Sequence, residues 1–220
     1  INITTVEDPV EYQIPGINQV QMHEGIGLNF SSSLRSILRQ DPDVLLIGEI
    51  RDEETADIAV KFSLTGHLVF STVHANDAPS TIARLLDLGI PPFLLGSSLN
   101  LIMAQRLIRT IDENEKEEYV PSQNELERLE LSTDNNQKFY QGKKASSNHY
   151  TGYKGRTAIH EILEVNSDMR KLIFDNASQI DIKNQAVKNG MTQLRDAGIG
   201  KIKSGVTTIE EVLRATVEDN

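Results

Sequence analysis

The hydrophobic pattern changes character near residue 111. Before that point, short apolar runs alternate with stripes at helical spacing. Ile1 to Val6 is β-rich and predicts a strand. Phe30, Leu34, Ile37 and Leu38 fall at i, i+4, i+7 and i+8, one helix face, with Ser31 or Ser32 as the candidate cap. Val44 to Ile47 is continuously apolar, as in a strand buried on both faces. Asp52 to Thr65 predicts a helix with Ala56, Ala59 and Phe62 inward and Gly66 closing it. Leu68 to Val73 is the next strand. Pro79 to Leu88 is the next helix, with Asp77 before it and Gly89 past its end. This βαβα order predicts an α/β fold with a mostly parallel sheet and helices on both faces. Ile90 to Met103 predicts a buried helix, and Ala104 to Leu107 its end, where Arg106 caps carbonyls or pairs with an acid.

Residues 112–150 break the rhythm. Asp112 to Glu118 is acidic with a single Lys, Asn124 to Leu131 predicts a short helix, and Ser132 to Tyr150 is polar with little to bury. The segment therefore predicts a mobile insertion or linker. Residues 151–220 predict a mainly helical C-terminal subdomain. Thr207 or Thr208, followed by Glu210 and Glu211, matches a capping box before Val212 and Leu213.

Composition adds exclusions. Hydrophobic residues make up 38% and charged residues 25%, so the chain can bury a core. The net charge of -10 argues against a broad nucleic-acid surface, which needs clustered Lys and Arg. There are no cysteines, so a disulfide framework and thiolate metal sites are excluded. Pro91, Pro92, Gly96 and Asn100 interrupt the longest apolar stretch, which falls short of the ~18–20 residues of a membrane span. No signal peptide opens the chain, and a start at Ile1 in β-rich residues is expected of a fragment boundary.

Three strand ends carry candidate chemistry. In DPDVLLIGEIRD, Asp41 to Asp52, an apolar strand ends in Gly48 and Glu49. At the carboxyl edge of a parallel sheet, such an acid holds Mg²⁺ through water or orients an attacking water. A buried strand ending in a surface acid explains the same residues. In TTVEDPVE, Thr4 to Glu11, Glu7, Asp8 and Glu11 follow a strand and suit metal or water handling, or equally a solvated Asp-Pro turn. In LTGHLVFSTVHAND, Leu64 to Asp77, His67 and His74 bracket a strand. Their spacing of seven places them on opposite faces of a regular strand, so a shared metal is not expected. His74 is the candidate γ-phosphate contact, with Thr72 and Ser71 as polar neighbours; a hydrogen-bonded structural His is the bland alternative. Arg35 and Arg39, four apart, are a candidate basic pair for a phosphate or a neighbouring subunit, or simple exposed charge.

Together these segments resemble the Asp box, Walker B and His box of the type II secretion and type IV pilus assembly ATPases. The matching text is TTVEDPVEY, LRQDPDVLLIGEIRD and LTGHLVFSTVHAND, with AQRLIR at 104–109, TGYKGRTAIHEIL at 151–163 and GVTTIEEVL at 205–213. The resemblance implies the C-terminal portion of a RecA-like P-loop NTPase core over 1–111, a zinc-free insertion over 112–150 and a helical subdomain over 151–220. It implies ATP and Mg²⁺ as cofactors and a homo-hexamer. It also implies an inner-membrane platform protein and other secretion or pilus components as partners. The location it implies is cytoplasmic, peripheral at the bacterial inner membrane through those partners, without membrane insertion. In that picture Glu49 positions the hydrolytic water. Glu7 and Glu49 hold Mg²⁺ directly or through water, with Glu11 in support. His74 senses γ-phosphate, and Asp8, His67, Arg35 and Arg39 face nucleotide.

The chain departs from the family in two ways. No G-x-x-x-x-G-K-[ST] loop occurs, so this chain alone is expected to bind ATP poorly. Where many relatives carry four zinc cysteines, this sequence has Asp112, Glu115, Ala145 and Asn148, so no zinc is expected. A retraction motor, a nucleic-acid motor on the same core and a non-enzymatic platform-binding module are the competing readings.

Overall fold

A computed structural model describes residues 1–131 and 137–216. In chain order the elements are β1 (Ile3–Glu7), β2 (Asn18–Gln21), α1 (Phe30–Ile37), β3 (Val44–Ile47), α2 (Glu53–Leu64), β4 (Leu68–Ser71), α3 (Ala78–Asp87) and α4 (Pro92–Ser98). There follow β5 (Leu101–Ile111), β6 (Lys116–Tyr119), α5 (Gln123–Arg128), β7 (Phe139–Gly142), β8 (Tyr153–Glu164), α6 (Ser167–Phe174), α7 (Gln179–Lys188), α8 (Leu194–Lys203) and α9 (Ile209–Thr216). They divide into two compact units. The first is Ile1–Ala75, Pro79–Leu101 and Glu164–Gln185; the second is Asn76–Ala78, Ile102–Leu163 and Ala186–Asn220.

The first unit is built on a parallel sheet of order β2-β1-β3-β4. Val6 aligns with Ile47, and Ile47 with Ser71, so the carboxyl ends of β1, β3 and β4 reach one edge together. Val6, Leu34, Leu45, Ile47, Ala56 and Leu95 are fully buried, as the apolar runs and helical stripes require. The first helix is capped two or three residues earlier than expected. Asn29 is the cap and Ser32 its reciprocal partner three residues on. Asp52 caps α2 through the Thr55 amide. α4 packs on α6, where Gly96 leaves room for the Phe174 ring: a Cβ at Gly96 would meet that ring at 2.6 Å.

The predicted helix over Ile90–Met103 ends early. α4 stops at Ser98, and from Leu101 the chain is strand. Residues 101–107 alternate more exposed with more buried positions, a period of two that the apolar run conceals. Arg106 therefore sits in a strand, where its Nη2 donates to the Asn76 carbonyl at 2.9 Å. Residues 151–220 are mainly helical, with one strand, Tyr153–Glu164, paired with β5. Glu164–Gln185 belongs to the first unit, so the divisions at 111 and 151 do not mark the units.

The segment 112–150 carries ordered elements rather than a bare linker; its residues 132–136 lie outside the described residues. β6 and β7 pair antiparallel. Leu126, Leu129 and Phe139 from this segment are buried with Ile202, Ile209, Val212 and Leu213 from α8 and the α9 region. Asp112, Glu115, Ala145 and Asn148 lie on two short 3₁₀ turns, Glu113–Glu115 and Ser146–Asn148, or at their caps. Buried Asn148 accepts the Ala145 and Gly152 amides and donates to the Lys143 carbonyl at 2.9 Å. Few apolar side chains are needed for order when backbone groups are satisfied this densely. Among the described residues, no helix is long and apolar enough to cross a membrane.

Candidate nucleotide site

The site grows from the shared carboxyl edge of the first unit's sheet. Beyond β3, Gly48 donates to the Val6 carbonyl at 2.7 Å. A Cβ there would meet that oxygen at 3.1 Å and Glu7 Cα at 3.3 Å, so glycine allows the ends of β1 and β3 to close together. Glu7, Asp8, Glu11 and Glu49 then line one cavity of ≈ 260 Å³, with Pro9, Leu46 and Gly48 completing the wall. Glu7 is held by Gln19 Nε2 at 3.0 Å and by the Thr5 hydroxyl.

The Glu49 side chain is enclosed, only 13% exposed. Arg51 Nη2 donates to one carboxylate oxygen at 2.5 Å, and His74 Nε2 lies 3.2 Å from the other. The Arg51 hydrogen bond holds the Glu49 carboxyl below its usual range, against a smaller upward push from burial. Thr72 ties the β4 end to β3: its hydroxyl donates to the Gly48 carbonyl, and its own carbonyl accepts the Ile50 amide at 2.9 Å. His74 follows two residues later, with its side chain 88% exposed and open to a ligand.

The other sequence candidates sit apart. His67 stacks on Phe62 at 4.0 Å between ring centroids and meets Thr65 Oγ1 at 2.9 Å. It precedes β4, at the level of Asp43, about six residues or ~20 Å of strand from Glu49. That place at the amino edge gives it a packing contact, not a position beside the acids. Arg35 pairs with Glu54 across α1 and α2. α1 ends at Ile37 with Leu38 as its cap, so Arg39 lies beyond the helix and does not share a regular face with Arg35. Arg51, two residues after the strand-end acid, is a site residue that the motif pattern alone does not mark.

The donor set suits a hard cation of the magnesium type. Among the described residues, no three His, Cys, Asp or Glu converge as a complete metal cage. Mg²⁺ takes one or two carboxylates and leaves its other positions to water and phosphate. Glu7 and Glu49 could supply that pair, and a phosphate beside these acids would need a cation's positive charge.

The family model described as Type II/IV secretion system protein matches residues 1–214. The chain belongs to that family. It is 48% identical to a type IV pilus assembly ATPase PilB of Myxococcus xanthus, covering 99% of this chain and 39% of that protein. It is 48% identical to a type II secretion system protein E of Xanthomonas campestris, covering 98% of this chain and 38% of the relative. The chain thus spans well under half of these relatives. Among solved structures, the pilus retraction motor PilT with bound ADP superposes with a TM-score of 0.71 at 28% identity, over 99% of this chain and 53% of that one. The ATPase DotB of Legionella pneumophila, at 19% identity and a TM-score of 0.66, shares the fold. The parallel sheet with its helices is the RecA-like α/β architecture of these ATPases.

Proposed function

We propose that this chain is the downstream part of the catalytic domain of a motor ATPase that drives pilus assembly or type II secretion. The observation that carries this reading is Glu49. It is held by Arg51, faces His74 and lines one cavity with Glu7, Asp8 and Glu11. Two relatives, each 48% identical, are named as a pilus assembly ATPase and a type II secretion protein, which supports this reading.

In this reading Glu49, kept ionised by Arg51, accepts a hydrogen bond from the hydrolytic water and orients it. Glu7, with Glu11 in support, holds water on the cation side. Mg²⁺, when bound, supplies neutralising charge at the phosphates. His74 contacts the γ-phosphate and, through its approach to Glu49, reports its presence. Arg35, Asp8 and Arg39 are candidates for contacts made when a nucleotide and a neighbouring subunit are present. The intact protein works as a homo-hexamer on the cytoplasmic side of the inner membrane, held there by a platform protein. Cradling of the phosphates requires a P-loop that these 220 residues do not contain. Titration calorimetry with Mg²⁺ and ATP tests the division of labour. The full-length protein should bind and this chain should bind weakly; tight binding by this chain would contradict the reading.

A further inference from the structure

Glu7 owes its place to the neighbouring strand as well as to its own. In the β1–β2 pair, Thr5 lies opposite Gln19 and Glu7 opposite Gln21. Side chains two apart on a strand share a face, so Thr5, Glu7, Gln19 and Gln21 stand on one side of the sheet. All four, and the loop between the two strands, belong to the first unit. Gln19 Nε2 donates to Glu7 Oε1 at 3.0 Å and to the Tyr12 carbonyl at 3.0 Å. Gln19 Oε1 accepts the Ile14 amide at 2.7 Å.

These partners call for a carboxamide. Two acceptors at one end and a donor at the other match its two N–H groups and its oxygen. A carboxylate in the same place would set lone pairs against Glu7 and the Tyr12 carbonyl. The loop brings Asp8 and Glu11 to the cavity, yet its tip buries little, with Tyr12 80% and Ile14 50% exposed. Bonds from Gln19 to the backbone of that tip supply the hold that packing does not. On Glu7, the Thr5 hydroxyl and Gln19 both donate to Oε1. Among the described residues none donates to Oε2, so that oxygen is left for a water or a cation.

We infer that Gln19 is a positioning residue for Glu7. It fixes one carboxylate oxygen, leaves the other for the cation side of the site, and ties the acid to the loop that bears Asp8 and Glu11. This rests on the role of Glu7 proposed above. Gln19 acts as the outer hydrogen-bond partners of metal-ligand carboxylates do, by setting the direction of the acid.

The test is Mn²⁺ binding to the ADP-loaded full-length protein, read from the free Mn²⁺ signal in electron paramagnetic resonance. Gln19→Met keeps the length of the side chain and removes all three bonds. It should weaken Mn²⁺ binding about tenfold. ADP affinity without metal should stay within about twofold, and in a Glu7→Gln background the same change should alter Mn²⁺ affinity by less than about twofold, because the acid it acts through is gone. Thr5→Val removes the other donor to Oε1 and nearly keeps the shape. It should weaken Mn²⁺ binding about threefold and lose that effect in the Glu7→Gln background, even if Gln19→Met folds poorly. An equal loss with and without the Glu7 carboxylate, or no loss from either variant, overturns the positioning role and leaves that of Glu7 standing. If Glu7→Gln itself leaves Mn²⁺ binding unchanged, the proposed role of Glu7 fails first, and the inference fails with it.

Discussion

His74 Nε2 stands 3.2 Å from Glu49 Oε2, joining the segment after β4 to the end of β3 across 25 residues of sequence. The other oxygen of Glu49 belongs to Arg51. One carboxylate thus meets a guanidinium on one side and an exposed imidazole on the other.

If Glu49 is the catalytic acid, Arg51 should set the acid limb of activity in the full-length protein. Its hydrogen bond is the largest influence on Glu49 and lowers that pKa, so the carboxylate stays ionised to lower pH than an ordinary glutamate. Arg51→Ala removes this bond and raises the Glu49 pKa. The acid limb of the kcat profile of the full-length protein should move to higher pH. A limb that stays in place would mean that Glu49 is not the group titrating.

Glu211 is a stability element of the second unit. Its side chain is fully buried, and it binds Arg109 at 2.7 Å and Arg214 at 2.6 Å. Arg109 also stacks on the Tyr153 ring at 4.0 Å. Burial pushes the Glu211 carboxyl up, but hydrogen bonds from Arg214 and Arg109 outweigh it and hold the pKa at about 2, against an ordinary value of 4.5. A depressed carboxylate pKa contributes stability above its unfolded value, and that stability is lost as pH falls through the folded one. The contribution should be complete above about pH 4.5 and disappear toward pH 2. Glu211→Ala leaves two arginines without their acid and should cost ~3 kcal/mol in urea unfolding at pH 7. It should also flatten the acid limb of stability.

Gly198 lets α8 pack closely on Val212 of α9. A Cβ there would meet Val212 Cγ1 at 2.5 Å. Alanine gains ~1 kcal/mol in helix propensity, but overpacking costs ~1–3 kcal/mol, so Gly198→Ala should destabilise on balance. A thermal melt checks it. Pairing Gly198→Ala with Val212→Ala, which opens the space, should recover part of the loss.

Asn148 closes the two turns of the 112–150 segment. Asn148→Ala strands the Ala145 and Gly152 amides and the Lys143 carbonyl, at a cost of ~2 kcal/mol or more. Limited trypsin digestion should then cut faster at Lys143 and Lys144. An unchanged rate would show that these bonds do not hold the segment.

Much of the first unit was legible because each strand declares itself locally. Val44 to Ile47 is an unbroken apolar run, and Glu49 follows its end with a single glycine between. What was hidden depends on distance in sequence. Leu101–Ile111 carries its strand period inside an apolar stretch that also satisfies a helix, and its partner lies beyond residue 150. Thr208 caps α9 through the Glu211 amide as the capping-box pattern suggested. The Glu211 carboxylate turns instead to Arg109, 102 residues away, which no local pattern announces. His67 and His74 look alike in the sequence. The difference arises because one precedes and the other follows β4, and Phe62 waits beside the first.

The central claim is that Glu49 orients the hydrolytic water. It is tested most directly by single-turnover ATP hydrolysis and nucleotide binding on full-length Glu49→Gln. Glutamine fills the same space but is a far weaker acceptor. The account predicts a fall in hydrolysis of ~10²-fold or more with ATP affinity largely retained. Hydrolysis at the wild-type rate with binding intact would contradict it.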